Sequence, residues 1–128
     1  MNLSFGQDIE QIAAVTLTVA SAAASRLADR GFRDDRYDPA AALAAGAYTA
    51  QATSYLPLPD IFPEDNGAET DYRGLADRLE RIADALDDLG TRSTEVRRIR
   101  DRHTAALHIR NAAIALRNAL PVGDGAAE

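Results

Sequence analysis

The sequence predicts an all-α fold, a four-helix bundle. Three observations predict it. Apolar residues recur at helical spacing in four separate stretches, no alternating run marks a strand, and Gly or Pro stands near most boundaries. Of the 128 residues, 46% are hydrophobic but only 5% aromatic, with no Trp. Much of that apolar content is alanine, so the expected core is thin, made by close helix approach, with little room for an enclosed ligand. The length suits one domain over residues 1–128.

The first helix is expected over residues 7–30. Gln7, Gln11, Thr18, Ser21, Ser25 and Asp29 form one narrow polar stripe, while Ile9, Ile12, Val15, Leu17, Val19, Ala24 and Leu27 fill the rest. A helix apolar over most of its circumference is covered on more than one side, which places it at the centre of the bundle. Its most apolar run, residues 12–24, is too short to span a bilayer, so no membrane segment is expected. Gly31 suits the C′ position, with Phe32 placed to fold back onto the last turn.

A second helix follows over residues 39–55, with Asp38 as N-cap and Pro39 at N1, where a missing N–H costs nothing. Ala42, Gly46 and Ala50 recur every four residues, a smooth face for internal packing or for a helix-mediated dimer. Pro57, Pro59 and Pro63 forbid helix in residues 56–70. Leu56, Leu58, Ile61 and Phe62 are apolar, so this stretch reads as a strap across the bundle, with a turn at Asp65, Asn66 and Gly67.

The third helix, residues 71–89, has the clearest pattern: Tyr72, Leu75, Leu79, Ile82, Leu86 and Leu89 alternate spacings of three and four. Arg73–Asp77 and Asp77–Arg81 are expected i,i+4 pairs on its outer face. Gly90 is the expected stop, and Thr91, Ser93 or Thr94 the cap of a fourth helix over residues 93–120 that Pro121 ends. Residues 121–128 read as a frayed tail. The short connection makes helices three and four an antiparallel hairpin.

No cysteine means no disulfide, no thiolate nucleophile and no Cys-based metal site. The net charge of −6 opposes general nucleic-acid binding, which needs excess cation to displace counterions from phosphate. All fourteen basic residues are arginine, as a GC-rich genome would give. The N-terminus lacks a basic region ahead of an apolar one, so a secretory signal is not expected and the expected setting is cytoplasmic. No phosphate-binding loop, dinucleotide fingerprint or zinc-protease motif is present, and no cofactor is expected.

The stretch EVRRIRDRHTAALHIRN, residues 95–111, concentrates both histidines and five arginines. Residues 60–95 hold eleven acids against four arginines, whereas residues 96–118 hold six arginines against Asp101. In the hairpin Asp84, Asp87 and Asp88 are expected beside Arg97, Arg98 and Arg100, which gives both clusters a structural partner. Leu107 and Ile114 are expected to widen the apolar face. His103, Arg110 and Arg117 form a separate row at intervals of seven, with Thr104, Asn111 and Asn118 beside it. His103 and His108 diverge by about 140° on a helix of 3.6 residues per turn, so a shared metal ion is not expected.

Arg98 to His103 and Arg102 to His108 fit the arginine–four-to-six–histidine spacing of HEPN-type ribonucleases, which are also small helical bundles. The similarity covers six or seven residues; Ile99 stands where that family usually has a polar residue, and His103 after Arg102 fits better. The resemblance implies His103 or His108 as general acid or base and Arg98 or Arg102 as stabiliser of phosphate charge, across a dimer. The leading expectation is different: a non-enzymatic, regulatory or accessory protein that acts by protein–protein contact. Its expected interaction surface is His103, Arg110, Asn111, Arg117 and Asn118, with a homodimer as one form of the contact. Neither a membrane nor a nucleic acid is an expected partner.

Overall fold

A computed structural model of the chain describes residues 3–59, 71–91 and 94–121. They form four helices, α1 (Leu3–Gly31), α2 (Pro39–Thr53), α3 (Tyr72–Thr91) and α4 (Val96–Ala119), with no strand among the described residues. The all-α four-helix fold expected from the sequence is the one observed.

Local chemistry fixes most of the boundaries. Asp38 caps α2 as expected, its Oδ1 accepting the amides of Ala40 and Ala41 at 3.0 and 3.2 Å. Asp71 caps α3 through the Gly74 amide at 2.9 Å. A Cβ on Gly74 would lie 2.2 Å from the Asp71 carboxylate, so a side chain there would displace the cap. α2 ends at Thr53, short of residue 55, because Leu56 precedes Pro57 and is steered away from helical backbone. Gly90 does not stop α3, which runs on to Thr91, and α4 starts only at Val96. Its N-cap is Glu95, whose side chain makes no capping bond. α1 runs through Gly31 instead of stopping before it, and glycine serves there for another reason than the expected turn: a Cβ would lie 2.8 Å from the Pro39 ring. Phe32 is 71% exposed and does not fold back; its amide returns alone, to Ala28 O at 3.2 Å. In the same connection Asp34 accepts from the Arg36 guanidinium at 2.8 and 3.1 Å and from the Arg36 amide, which lowers its carboxyl to about 2.

Three bonds set the topology. The Asp38 amide donates to Ala119 O at 3.0 Å, Arg73 donates to Pro121 O at 3.3 Å, and Arg98 reaches Glu10 at 3.3 Å. The starts of α2 and α3 therefore lie beside the end of α4, and the start of α1 beside the start of α4. α2 and α3 run antiparallel to α1 and α4. The connection leaves α2 at one end of the bundle and re-enters α3 at the other. Where it leaves, Leu56 packs on the core, Pro59 is buried, and Leu58 O accepts from Gln11 at 3.1 Å. This is strap behaviour at its first residues; Ile61, Phe62 and the Asp65–Gly67 turn lie outside the described residues.

Around the ring the order is α1, α2, α4, α3, and the α1–α3 side is the least closely packed of the four. Among the described residues, seventeen of the twenty-six buried apolar ones are alanine, so backbones approach closely and the few large side chains, such as Leu79, Leu86, Ile109 and Leu116, fill what space remains. Ala42 and Gly46 lie on the packed side of α2, Gly46 facing the Ala24 methyl of α1, whereas Ala50 is exposed. The Ala42–Gly46 part of that face therefore serves internal packing. α1 is not the central helix the sequence suggested. It occupies a corner, and Ile12 is 56% exposed. By length and composition alone Ile9–Gly31 is apolar enough to cross a membrane, contrary to the shorter run considered above; within the bundle Ala13, Leu17, Ala20, Ala24 and Leu27 are buried.

Candidate functional site

The row His103, Arg110 and Arg117 faces α3. His103 Nδ1 lies 2.6 Å from Asp87 Oδ1, Arg110 donates to Asp84 at 2.7 Å and to Asp87 at 2.5 Å, and Arg117 donates to Asp77 and Glu80. Charge does meet across the hairpin, but in a different register from the one expected. Asp84 and Asp87 pair with Arg110 and His103, not with Arg97, Arg98 or Arg100. The reason is reach: arginine side chains lean back toward their helix's N-terminus, so those farther along α4 come alongside the acids. Asp77 is likewise taken up by Arg117, and Arg73 by Pro121 O, where pairs within α3 were expected. Asn111 and Asn118 sit beside the row on the outer side, half-buried and exposed respectively. Leu107 and Ile114 are also on the outer surface, 55% and 53% exposed, and do not widen the core face.

This seam gives a pH prediction. Burial pushes the Asp87 carboxyl up, but hydrogen bonds from His103 and Arg110 outweigh it and hold it below its ordinary 3.8. A depressed folded value stabilises the protein above the ordinary value, and that contribution disappears as pH falls through the folded one. In urea unfolding across pH, the stability gap between wild type and Asp87→Asn is expected to close once pH drops below 3.8. A gap constant through that range would show that the carboxylate is not held by its partners.

Arg98 and Arg102 turn to α1 instead. Glu10, 4% exposed, accepts from Arg102 Nε at 3.1 Å and from Arg98 at 3.3 Å, while Arg102 Nη1 donates to Leu89 O at 3.3 Å. One buried guanidinium thus joins α1 and α4 and satisfies a last-turn carbonyl of α3. His108 stacks on Tyr55 of α2, ring centroids 5.9 Å apart, and its Nδ1 is buried without a hydrogen-bond partner. The four residues named by the ribonuclease resemblance therefore point to three places: Arg98 and Arg102 to Glu10, His103 to α3, His108 to α2. Within one chain they do not converge on a common point. Arg98 borders a pocket of about 360 Å³ with Glu10, Tyr55, Arg97, Glu95 and Asp101, where three acids stand against two arginines.

A second surface was not singled out in the sequence. Along the open α1–α3 seam, Ile9, Ile12 and Thr16 of α1 face Arg78, Arg81, Ile82 and Ala85 of α3 across a groove of about 380 Å³. The signal for it was present. Asp77, Glu80, Asp84 and Asp87 share one face of α3, which leaves Arg78, Arg81, Ile82 and Ala85 on another. Glu10 was also missed, although two arginines on α4 need an acid before either can be buried.

The fold and these surfaces define a four-helix bundle with one ionic seam and one open apolar seam. No protein-family model, curated protein or solved structure matches the chain.

Proposed function

We propose that this is a non-enzymatic cytoplasmic protein that acts by contact with another protein, and that the α1–α3 groove is the contact surface. The observation that carries the reading is the exposure of Ile12, 56%, within a groove that includes Ile9, Ile82 and Ala85. Exposed apolar side chains gathered at a helix seam are what interfaces bury. Three of the groups with chemical potential on α4 are engaged by other helices, Arg102 on Glu10, His103 on Asp87 and Arg117 on Asp77 and Glu80. This moves the contact surface from the row His103, Arg110 and Arg117, whose cations α3 already holds.

Affinity capture from the native cell, read by quantitative mass spectrometry with three baits, tests the proposal. A partner retained by wild type and by Leu107→Asp is expected to be lost with Ile12→Asp. Equal capture by all three baits would reject the groove. RNA cleavage by wild type that His103→Ala with His108→Ala abolishes would reject the non-enzymatic reading.

A further inference from the structure

The hairpin does not account for the outer face of α4. His103, Arg110 and Arg117 turn to α3, and Arg98 and Arg102 turn to Glu10. Leu107 and Ile114 point outward instead, 55% and 53% exposed. Arg100, Leu107 and Ile114 stand at intervals of seven, and Thr104, Asn111 and Asn118 form a second such row beside them. Taken together the two rows alternate spacings of four and three, the 3.5-residue repeat of a helix that pairs with another helix. Within the bundle α4 packs between α2 and α3, and neither covers this side. Its charge is sparse as well. The one acid of α4, Asp101, borders the pocket with Glu10 and Tyr55, off this face. Arg100, at the amino-terminal end, is the one charge among the six residues of the two rows.

We infer that this face pairs with the same face of a second copy of the chain, the two α4 helices running antiparallel about a two-fold axis at Asn111. An uncharged centre meets itself without like-charge repulsion. An Asn amide carries both a donor and an acceptor, so across a two-fold axis it can bond to its own counterpart. Asn at a seam position of paired helices fixes their register, at some cost in stability. Charge selects the direction. Parallel helices would set Arg100 against Arg100, a like-charge contact. Antiparallel helices centred on Asn111 set Thr104 opposite the partner's Asn118 and Leu107 beside the partner's Ile114. Arg100 then lies at the carboxyl end of the partner's α4, where the helix dipole is negative. A contact of one helix per copy belongs to the small, reversible class, with an expected Kd of roughly 10–100 μM. Around the ring α4 is diagonal to α1, so the pairing leaves the α1–α3 groove of each copy open, and the inference stands apart from the contact reading above.

Sedimentation velocity of the full chain across a concentration series tests it, with cross-linking to set the register. Wild type is expected to pass from monomer to dimer, and Leu107→Asp to weaken the association at least about tenfold. Leu107 is exposed, so that variant should keep the wild-type circular dichroism spectrum. Ile12→Asp is expected to dimerise as wild type does. The chain has no cysteine, so an introduced one is unique: on oxidation Asn111→Cys is expected to give a disulfide-linked dimer and Arg100→Cys to stay monomeric. A wild type that is monomeric throughout the series overturns the inference. So does association that survives Leu107→Asp. Association lost with Ile12→Asp and kept with Leu107→Asp overturns it in favour of pairing through the groove. Cross-linking of Arg100→Cys as complete as that of Asn111→Cys overturns the antiparallel arrangement.

Discussion

Glu10→Ala is expected to be the most damaging single substitution in the bundle, lowering stability by about 3–5 kcal/mol. The Glu10 and Arg102 side chains are 5% and 8% exposed, so removing the carboxylate leaves the guanidinium buried without the acid it is paired with. Arg98, 46% exposed, can relax into water once the carboxylate is gone, whereas Arg102 cannot. Domains of this size are stabilised by about 5–15 kcal/mol in total, and the melting temperature should fall by ~10–20 °C. The asymmetry of buried pairs also bears on the partner. Glu10→Leu combined with Arg102→Met removes both charges at similar volume and is expected to restore most of the loss. Circular dichroism melts of the three proteins check this; a Glu10→Ala variant melting within about 2 °C of wild type, far short of the expected fall, would mean the pair is not buried in solution.

Leu79→Ala is expected to cost about 2–5 kcal/mol, toward the upper part of that range. Leu79 is fully buried on α3, in a core cluster that also contains Ala76 and Ala83 of α3 and Ile109 and Leu116 of α4. The cost of a cavity depends on how far the surroundings collapse into it. Alanine-lined helices are already in close approach and have no long side chains to swing inward, so the void persists. Chemical denaturation should show a lower midpoint with an unchanged slope. A loss below about 1 kcal/mol would indicate that this core repacks freely.

How much of this was legible in the sequence differs by scale. Helix identity was, because the 3.6-residue period of α3 and the Asp38–Pro39 start of α2 are local signals. Helix ends were less so. Gly90 looks like a stop, yet α3 passes through it, since the neighbouring Leu89 carbonyl finds Arg102, thirteen residues farther along the chain on the hairpin's other arm, a contact invisible to local reading. The charged helix was half legible. That its arginines meet the acids of α3 followed from composition alone. Which ones do depends on side-chain lean and interhelical register, so the row reserved for function, His103, Arg110 and Arg117, proved to be the row that zips the hairpin. Glu10 escaped notice because one acid in an apolar helix carries no periodic signature. The α1–α3 groove escaped because α1's nearly all-round apolar character suggested a central helix, whereas the ring order leaves that side open and Ile12 exposed.

The central claim is that the cations of α4 hold the bundle together. A double-mutant cycle on Glu10 and Arg102, by urea unfolding of wild type, Glu10→Leu, Arg102→Met and the pair, addresses it most directly. The account predicts a coupling energy within the range of interacting neighbours, about 2–3 kcal/mol. Additive losses, with coupling below about 0.5 kcal/mol, would contradict it and return Arg102 to the set of residues free to act on a ligand.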